Sequence, residues 1–396
     1  MAPVKIALFT PFSPALGAGS VLFRSVLPHL HGADLRWFYL AESPAEADSS
    51  TWLGPRIMGG SLARDAVDSL RIFALQSHPD IDRCVQAIRD WSPDIAWVNA
   101  MNEGILVGKK LLDAGIPHLH VSVHDDPKGN AIKSRRYRHL ASLIDRRNCE
   151  LLRGAHSLDV ICDSMRDYYS SRLGVKAGVV YRYIADRDPS ASSQAYSAQE
   201  SPIHIGHVGS YYSAPEVFAF VRALQSVAAA DGIRFRFTNY GGVSPMAASL
   251  QKEFPDLVEN AGYIPEEDEV VSRLRRTAFV YSMYPFDSRY RLFRETSQPF
   301  KISTYLMAAR PILAHCPKGS STVDMLDKFK LGVCVTSMEQ PALIDGIRSI
   351  LGWRLDPDEV ARAADYYCGP QIIDYLRSCF NLDSNESIAV SRDATA

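Results

Sequence analysis

One stretch of the C-terminal half combines a lysine, a proline and a helical apolar pattern. In SQPFKISTYLMAARPILAHCP, residues 297–317, the apolar residues spaced as on one helix face are Ile302, Tyr305, Leu306 and Ala309. Pro299 stands where the first turn of a helix tolerates proline, so the pattern predicts a helix that begins near it. Lys301 would lie in that first turn, where free N–H groups and the helix dipole favour an anion. The stretch predicts a diphosphate site; a surface lysine at a loop–helix junction is the alternative.

Polar residues also follow an apolar strand pattern in the N-terminal half. In HLHVSVHDD the strand ends just before His124 and Asp125. A histidine there can donate to a hydroxyl or hold a proton near neutral pH. A carboxylate beside it, Asp125 or Asp126, could orient the ring or accept a proton. The pattern suits acid–base chemistry at a strand end, and a histidine that only satisfies its neighbours is the alternative.

A glycine-rich turn follows the first predicted strand. Gly17, Ala18 and Gly19 lie between that strand and an apolar helix pattern. Glycines permit a tight turn and a close approach of a ligand to the backbone. The turn is therefore a candidate binding loop, with an ordinary strand-to-helix connection as the alternative.

A basic cluster runs from Lys133 to Arg147. Each well-placed cation would add about 1 kcal/mol to binding at an anionic membrane surface. The run suits a peripheral membrane contact or a contact with a phosphorylated acceptor, and a solvated helix face would have the same composition.

The chain pattern supplies sheets that could position these residues. Short runs rich in Val, Ile and Phe alternate with amphipathic stretches, as in repeated βα units. The predicted strands begin at Val4, Asp34, Asp94, His118, Leu158, Ala177, Ile203, Arg234, Ala278, Pro311 and Leu331. The predicted fold class is α/β, with two doubly wound, Rossmann-like parallel sheets facing a cleft. Ligands of such sheets bind beyond the carboxyl ends of the strands.

The domain boundaries follow from composition. Residues 186–201 hold few large apolar side chains and predict a linker between an N-terminal domain, 1–185, and a C-terminal domain, 202–368. Residues 369–385 predict a helix that crosses back to the first domain after a Gly–Pro break. The last residues, 386–396, predict a flexible tail.

Composition and charge exclude several classes of protein. The 43 Lys and Arg balance 45 Asp and Glu, so no basic excess is available for nucleic acid. None of the seven cysteines has CxxC or zinc-ligand spacing, which predicts reduced core thiols and no metal site. No signal peptide or transmembrane pattern is apparent, so we expect a cytoplasmic protein, with the inner membrane face as its place of peripheral contact.

Several stretches of the second half resemble the donor domain of GT-B glycosyltransferases, in particular family 4. IHIGHVGSYYSAPEVFAFVRAL resembles its first strand, glycine turn and helix, and NYGG with ENAGYIPEEDEVV resembles its base-binding segments. QPFKISTYLMAARPILA is similar to the family segment P-x-K-x-x-E-Y-L-A-x-G-x-P-V-I-A, where donor diphosphate and ribose bind. The first half resembles the acceptor domain more loosely.

The resemblance implies roles for individual residues. The residues matching donor-binding positions are Gly209, Ser210, Tyr211, Tyr263, Ile264, Gln298, Pro299, Phe300, Lys301 and Thr304. It implies that Lys301, with Ser210 and the backbone near 299–300, holds the diphosphate. Thr304 would bind the ribose, and residues 263–264 the base. Catalytic or sugar-binding roles fall to His124, Asp125, Glu295 and Gln298, and acceptor-side roles to Gly17, Ala18, Gly19 and Asp125.

The sequence departs from the family pattern at two places. Two glutamates eight positions apart are usual, and the matching positions hold Thr296 and Thr304. Glu295 is one residue out of register with the first of them. The turn after Gly209 also lacks the basic residues that many relatives direct at the diphosphate.

The resemblance implies a hexosyltransferase that needs neither cofactor nor metal ion. No DxD motif follows a predicted strand, which agrees with that expectation. The donor would be a UDP- or GDP-sugar, and the acceptor a hydroxyl on a glycan, a lipid-linked molecule or a small molecule. A nucleotide-sugar epimerase of the same fold and a catalytically silent binding homologue remain alternatives. The oligomeric state and the stereochemical outcome stay open.

Overall fold

The computed structural model describes residues 2–15, 17–134, 136–185 and 201–382. The chain divides into two compact units, one made of Met1–Ile184 with Gly369–Ala396 and the other of Ala185–Cys368. Residues 186–200 of the predicted linker and the predicted tail, 386–396, lie outside the described residues.

Unit 1 is built on a parallel sheet. Its strands are β1 Val4–Thr10, β2 Ala33–Leu40, β3 Ser50–Gly54, β4 Ile95–Asn99, β5 His118–Val123, β6 Ser157–Val160 and β7 Gly178–Val179. They lie in the order β3-β2-β1-β4-β5-β6-β7, so the chain reverses direction across the sheet between β1 and β4. Ligands of doubly wound sheets bind at such a reversal, outside the carboxyl ends of the strands.

Helices cover the sheet of unit 1. They are α1 Ala18–Val26, α2 Leu62–Leu70, α3 Pro79–Asp90, α4 Glu103–Asp113, α5 Pro127–Lys133, α6 Ala141–Gly154, α7 Asp163–Leu173 and, from the end of the chain, α16 Gln371–Cys379. In α16 the Tyr375 hydroxyl donates to Leu158 O of β6 at 2.6 Å. Phe380, after α16, packs on Trp97 of β4 with the ring centroids 5.1 Å apart. These contacts hold α16 on the unit 1 sheet.

Unit 2 repeats the architecture with a second parallel sheet. Its strands are β8 Ile203–Val208, β9 Phe235–Tyr240, β10 Val258–Asn260, β11 Phe279–Met283, β12 Ile312–His315 and β13 Gly332–Val335, in the order β10-β9-β8-β11-β12-β13. Its helices are α8 Ala214–Asp231, α9 Pro245–Glu253, α10 Glu267–Leu274, α11 Arg291–Thr296, α12 Lys301–Ala308, α13 Ser321–Phe329, α14 Gln340–Leu351 and α15 Pro357–Cys368.

The two parallel sheets confirm the predicted α/β fold class. Each predicted strand corresponds to an observed one, because continuous Val, Ile and Phe runs are typical of strands buried on both faces. The sequence analysis missed the edge strands β3 and β10. In β3 every residue is at least partly exposed, and β10 has three residues, so neither carries a long apolar run.

Candidate functional site

Lys301 lies at the carboxyl end of β8. It is the first residue of α12, and its Nζ donates to His207 Nε2 at 3.1 Å and to the Ser210 carbonyl oxygen at 3.0 Å. The Tyr212 ring centroid is 5.1 Å from the same nitrogen. Burial lowers the pKa of Lys301 to about 7. An anion bound here would therefore favour the charged form of the lysine.

His207 is a buried base that faces this lysine. Its Nδ1 lies 2.9 Å from Tyr281 O, and a carbonyl oxygen can only accept, so Nδ1 carries the hydrogen. Nε2 is then the acceptor for Lys301. Burial and the charge of Lys301 hold the pKa of His207 well below its usual range, which keeps the ring neutral. The sequence analysis missed this residue; the available signal was the pair of histidines, His204 and His207, in the strand IHIGHV.

The turn after β8 comes very close to the turn after β9. Gly209 has a φ of 78°, which favours glycine, and its carbonyl oxygen is 2.5 Å from the position that a Cβ on Gly241 would occupy. Two turns with bare backbone thus lie side by side at the carboxyl edge of the sheet. Ser210 is exposed on this edge and presents its carbonyl oxygen to Lys301.

Aromatic rings pack against the residues of the site. The Tyr211 ring stacks on the His207 ring with a centroid distance of 4.5 Å, and Tyr212 stacks on Tyr284 at 5.5 Å. The Tyr211 hydroxyl is buried and has no hydrogen-bond partner among the described residues. The residue predicted to bind donor at position 211 is thus mainly a packing partner of His207 in this structure.

Thr304 faces a carboxylate from another helix. Its Oγ1 donates to Glu267 Oε1, at the start of α10, at 2.9 Å. Thr304 and Lys301 are three residues apart on α12 and so share one helix face. The site therefore combines a cation of α12 with a carboxylate of α10 that is bonded to the same helix. Glu267 was not predicted, because nothing in the spacing of residues 267 and 304 links two separate helices.

Tyr305 fixes α12 against the sheet. Its hydroxyl donates to Tyr281 O at 2.8 Å and accepts from Val208 N at 3.2 Å. The helix begins at Lys301, with Phe300 as its N-terminal cap and Pro299 O accepting from Ile302 N at 3.0 Å. Helix α12 is thereby held with its first turn at the end of β8.

Two predicted sugar contacts have other partners. Glu295 Oε1 accepts from Arg291 Nε at 2.9 Å within α11. Gln298 is 2% exposed and donates to Met325 Sδ at 3.3 Å. Glu295 is thus used in a helix-surface ion pair and Gln298 is packed in the core, because the loop before α12 turns it inward.

The residues predicted to bind a base differ from each other in exposure. Tyr263 is 69% exposed, whereas Ile264 is partly buried. Gly262, with a φ of 81°, turns the chain just before them after the end of β10. An exposed aromatic ring next to a strand end has the form of a stacking surface.

In unit 1, His124 follows β5 and its ring packs 5.0 Å from Phe23 of α1. Burial lowers the pKa of His124. Asp125 is partly exposed. Asp126 is buried; it caps α5 by accepting from Gly129 N at 2.6 Å and also accepts from the Tyr169 hydroxyl. Asp126 therefore has a structural role, which leaves Asp125 as the carboxylate beside His124.

The glycine turn of unit 1 forms the start of α1. Gly17 is the N-terminal cap, with a φ of 102°, and Ala18 is the first residue of the helix. A Cβ on Gly19 would lie 2.8 Å from the Phe12 ring. The backbone conformation of Gly17 favours glycine, and a side chain at position 19 would require the Phe12 ring to shift.

Two arginines of the basic run of residues 133–147 are ion-paired within unit 1. Arg136 binds Asp65 at 2.6 Å, and Arg147 binds Glu150 at 2.9 Å. Burial lowers the pKa of Lys133. The run is therefore less free to bind an anionic surface than its sequence suggests.

No group of three or more His, Cys, Asp and Glu side chains among the described residues has the arrangement of a metal site. Within the same residues, no helix combines the length and apolarity needed to cross a bilayer.

Comparison with solved structures shows which fold this is. No family model and no curated protein matches the chain. An α,α-trehalose-6-phosphate synthase from Burkholderia multivorans matches with 14% identity and a TM-score of 0.63, over 100% of this chain and 99% of that one. The lipopolysaccharide outer core galactosyltransferase WaaB matches with 12% identity and a TM-score of 0.62, over 96% of this chain and 100% of that one. A putative UDP-N-acetylglucosamine 2-epimerase from Listeria monocytogenes matches with 11% identity and a TM-score of 0.58, over 97% of this chain and 98% of that one. This likeness confirms the predicted GT-B fold.

Proposed function

We propose that this chain of GT-B fold is a glycosyltransferase that moves a hexose from a UDP- or GDP-sugar to an acceptor hydroxyl. The acceptor is a hydroxyl of a glycan, a lipid-linked molecule or a small molecule. Sugar transfer agrees with the activities of solved proteins that share the fold, namely a galactosyltransferase and sugar-phosphate synthases.

The arrangement around Lys301 is the observation that carries the proposal. An ammonium group at a helix N-terminus, beside two bare glycine turns, suits the two charges of a nucleoside diphosphate. His207 accepts from this group at 3.1 Å and orients it. As the bond to the sugar breaks, negative charge develops on the departing diphosphate, and a cation already in place stabilises it. On this proposal no metal ion is needed at the diphosphate.

Glu267 supports the nucleoside part of the proposal. A ribose hydroxyl is a donor, and a carboxylate is a stronger acceptor for it than a neutral oxygen. Thr304 alone would offer only a neutral hydroxyl, but its partner Glu267 adds the charge. We assign the ribose to this pair and the base to the exposed Tyr263 ring with Ile264.

The acceptor side of the reaction falls to unit 1. His124 and Asp125 follow the carboxyl end of β5, and residues 17–19 form the start of α1. His124 donates to a hydroxyl of the transferred sugar, and Asp125 accepts the proton of the attacking hydroxyl.

The proposal is tested by substituting Lys301. We expect Lys301→Ala to abolish turnover of UDP- or GDP-sugar and to remove the thermal stabilisation by UDP or GDP that the wild type shows. Lys252→Ala, an exposed lysine of α9, is the matched control and keeps both. Retained turnover in a folded Lys301→Ala protein would contradict the diphosphate assignment.

One structural likeness favours a second candidate, an epimerase that acts on the nucleotide-sugar alone. Incubation with donor alone separates the two: an epimerase converts the sugar, whereas a transferase releases nucleotide only when the acceptor is added. A silent binding homologue, which the absent glutamate pair would favour, does neither.

A further inference from the structure

The side chain of Lys301 has the geometry of a nucleophile when its amine is neutral. Nζ donates to His207 Nε2 at 3.1 Å and to Ser210 O at 3.0 Å. A neutral amine has two N–H groups and one lone pair, so these two bonds use both hydrogens and leave the lone pair directed away from both acceptors. The side chain is also partly exposed, so a reagent can reach it.

The groups around Lys301 keep the neutral amine available near neutral pH. Burial lowers its pKa to about 7. The groups that face it are His207, the Tyr212 ring and the buried Cys316 thiol. No carboxylate among the described residues forms an ion pair with Lys301. A desolvated lysine without a counter-ion is the form in which proteins use an amine as a nucleophile.

Other lysines of the chain differ in this respect. Lys128 pairs with Asp145 at 3.1 Å, and Lys110 pairs with Asp82 at 2.7 Å. A neighbouring carboxylate favours the ammonium form, which has no lone pair to react. Lys252 is exposed to water, which solvates an ammonium group. The reactive amine should therefore be the one at position 301.

His207 can take the proton that the reacting amine must lose. Its Nδ1 donates to Tyr281 O at 2.9 Å, so the unprotonated Nε2 already faces a hydrogen of the Lys301 amine. The chain of nucleophile, base and orienting group joined by hydrogen bonds is the arrangement that activates nucleophiles in proteins. Tyr281 O fixes both the tautomer and the orientation of the base.

The surroundings favour a reagent that carries phosphate. Lys301 lies in the first turn of α12, where backbone N–H groups and the helix dipole attract an anion. The bare backbone turns at Gly209 and Gly241 lie against each other at the same edge of the sheet. A phosphate bound there would bring a carbonyl carbon attached to it to the amine. This step rests on the anion site of the proposed function.

We propose that Lys301 is a modification site for acyl phosphates, from which the acyl group passes to Nζ. The amine attacks the carbonyl carbon, a C–N bond forms, and the bond from this carbon to the phosphate oxygen breaks. His207 takes the amine proton and passes it to the departing phosphate, so the products are an acylated lysine and hydrogen phosphate. The amide carries no charge, and acylation therefore removes the cation that the nucleotide requires.

Acetyl phosphate is the probe for this proposal. Peptide mass spectrometry of the full chain gives the acetylated fraction of each lysine over time. At about pH 7.5 we expect an initial rate at Lys301 at least about tenfold higher than at Lys252, because only the neutral amine reacts. Inorganic phosphate should slow the reaction at Lys301 and leave Lys252 unaffected. Equal rates at the two lysines, or no protection by phosphate, would overturn the proposal.

An acyl donor without phosphate separates capture of the anion from reactivity of the amine. N-acetoxysuccinimide transfers the same acetyl group but offers no anion to the helix start. The preference for Lys301 over Lys252 should then fall severalfold. An unchanged preference would show that the site selects no phosphate and would overturn the assignment to acyl phosphates.

His207→Gln tests the base. The glutamine amide accepts a hydrogen bond from Lys301 but cannot take its proton. Acetylation at Lys301 should slow about tenfold or more, while acetylation at Lys252 keeps its rate. Circular dichroism checks that the variant is folded. A wild-type rate at Lys301 in the folded variant would contradict the role of His207 as base.

Thermal stabilisation by UDP keeps this proposal and the proposed function apart. Acetylation of Lys301 should reduce the stabilisation in proportion to the acetylated fraction. If Lys301 reacts selectively but UDP does not stabilise even the unmodified protein, the donor site is wrong and the modification site stands. Stabilisation by UDP without selective acetylation contradicts only the modification site.

Discussion

The hydroxyl of Thr304 donates to the carboxylate of Glu267 at 2.9 Å, although the two residues are on different helices. A carboxylate from α10 thereby stands beside the first turns of α12. At position 304 of α12 this chain has a threonine, whereas the family that its sequence resembles has a glutamate. If the pair binds ribose, its carboxylate comes from a different element of the fold.

Glu267→Gln removes the negative charge and keeps the size of the side chain. We expect the affinity for UDP to fall about tenfold, because a neutral acceptor binds a ribose hydroxyl more weakly than a carboxylate does. Calorimetry with UDP and with its 2′,3′-dideoxy analogue measures the effect. The analogue should bind the variant and the wild type alike, and an equal loss for both ligands would exclude a ribose contact.

Nucleotide affinity should depend on pH through Lys301. Burial lowers its pKa to about 7, so the free protein loses this charge as pH rises above 7. A bound diphosphate requires the ammonium form, and binding must then take up a proton. We expect the affinity for UDP to fall by up to about tenfold per pH unit above pH 7, measured by calorimetry between pH 6.5 and 8.5.

Lys301→Arg provides the control for this profile. Arginine stays protonated throughout the range, so its profile should be flat above pH 7 even if the absolute affinity is lower. A flat wild-type profile, or the same slope in Lys301→Arg, would show that another group controls the pH dependence.

His207 acts on the site as a positioning residue. His207→Phe keeps a ring beside Tyr211 but loses the acceptor for Lys301 and the donor to Tyr281 O. We expect nucleotide affinity to fall about tenfold. The midpoint of the pH profile should also move to lower pH, because the ammonium loses an acceptor that stabilises it.

His207→Gln tests whether the loss is one of hydrogen bonding. Its amide can donate to Tyr281 O and accept from Lys301 at once. Partial recovery of affinity and of the pH midpoint is expected. If Phe and Gln variants behave alike in both measurements, the histidine serves only to pack the core.

The sequence was sufficient for all strands of the two sheets except the edge strands β3 and β10, and for the position of Lys301. Continuous apolar runs identify buried parallel strands, and a proline before a helical pattern locates a helix start. It was not sufficient for His207, Glu267 or the true environment of Gln298, because these depend on which separate elements meet.

The buried pair of His120 and Asp159 should make the stability of unit 1 depend on pH. His120 Nε2 lies 2.7 Å from Asp159 Oδ2, and its Nδ1 lies 2.7 Å from Ser157 Oγ. Burial alone would lower the pKa of His120, but the hydrogen bonds to Asp159 and Cys379 outweigh it and raise the pKa to about 9. In the unfolded chain a histidine titrates near 6.5. Between pH 6.5 and about 9, His120 therefore holds a proton in the folded state that it has lost in the unfolded state.

That difference fixes the sign of the pH effect. The stabilising contribution, on the order of 3 kcal/mol, is complete below about pH 6.5 and is lost as pH rises to about 9. Lys301, whose pKa burial lowers to about 7, changes the free energy of unfolding in the opposite direction over this range. Urea unfolding at pH 6 and pH 9 should therefore show the contribution of His120 as a difference between the wild type and a variant that lacks the pair. In the double variant His120→Leu, Asp159→Asn this contribution is absent, and His139→Gln, at an exposed position of unit 1, should keep the wild-type dependence. The same pH dependence in the wild type and in the double variant would mean that His120 is neutral in the folded protein.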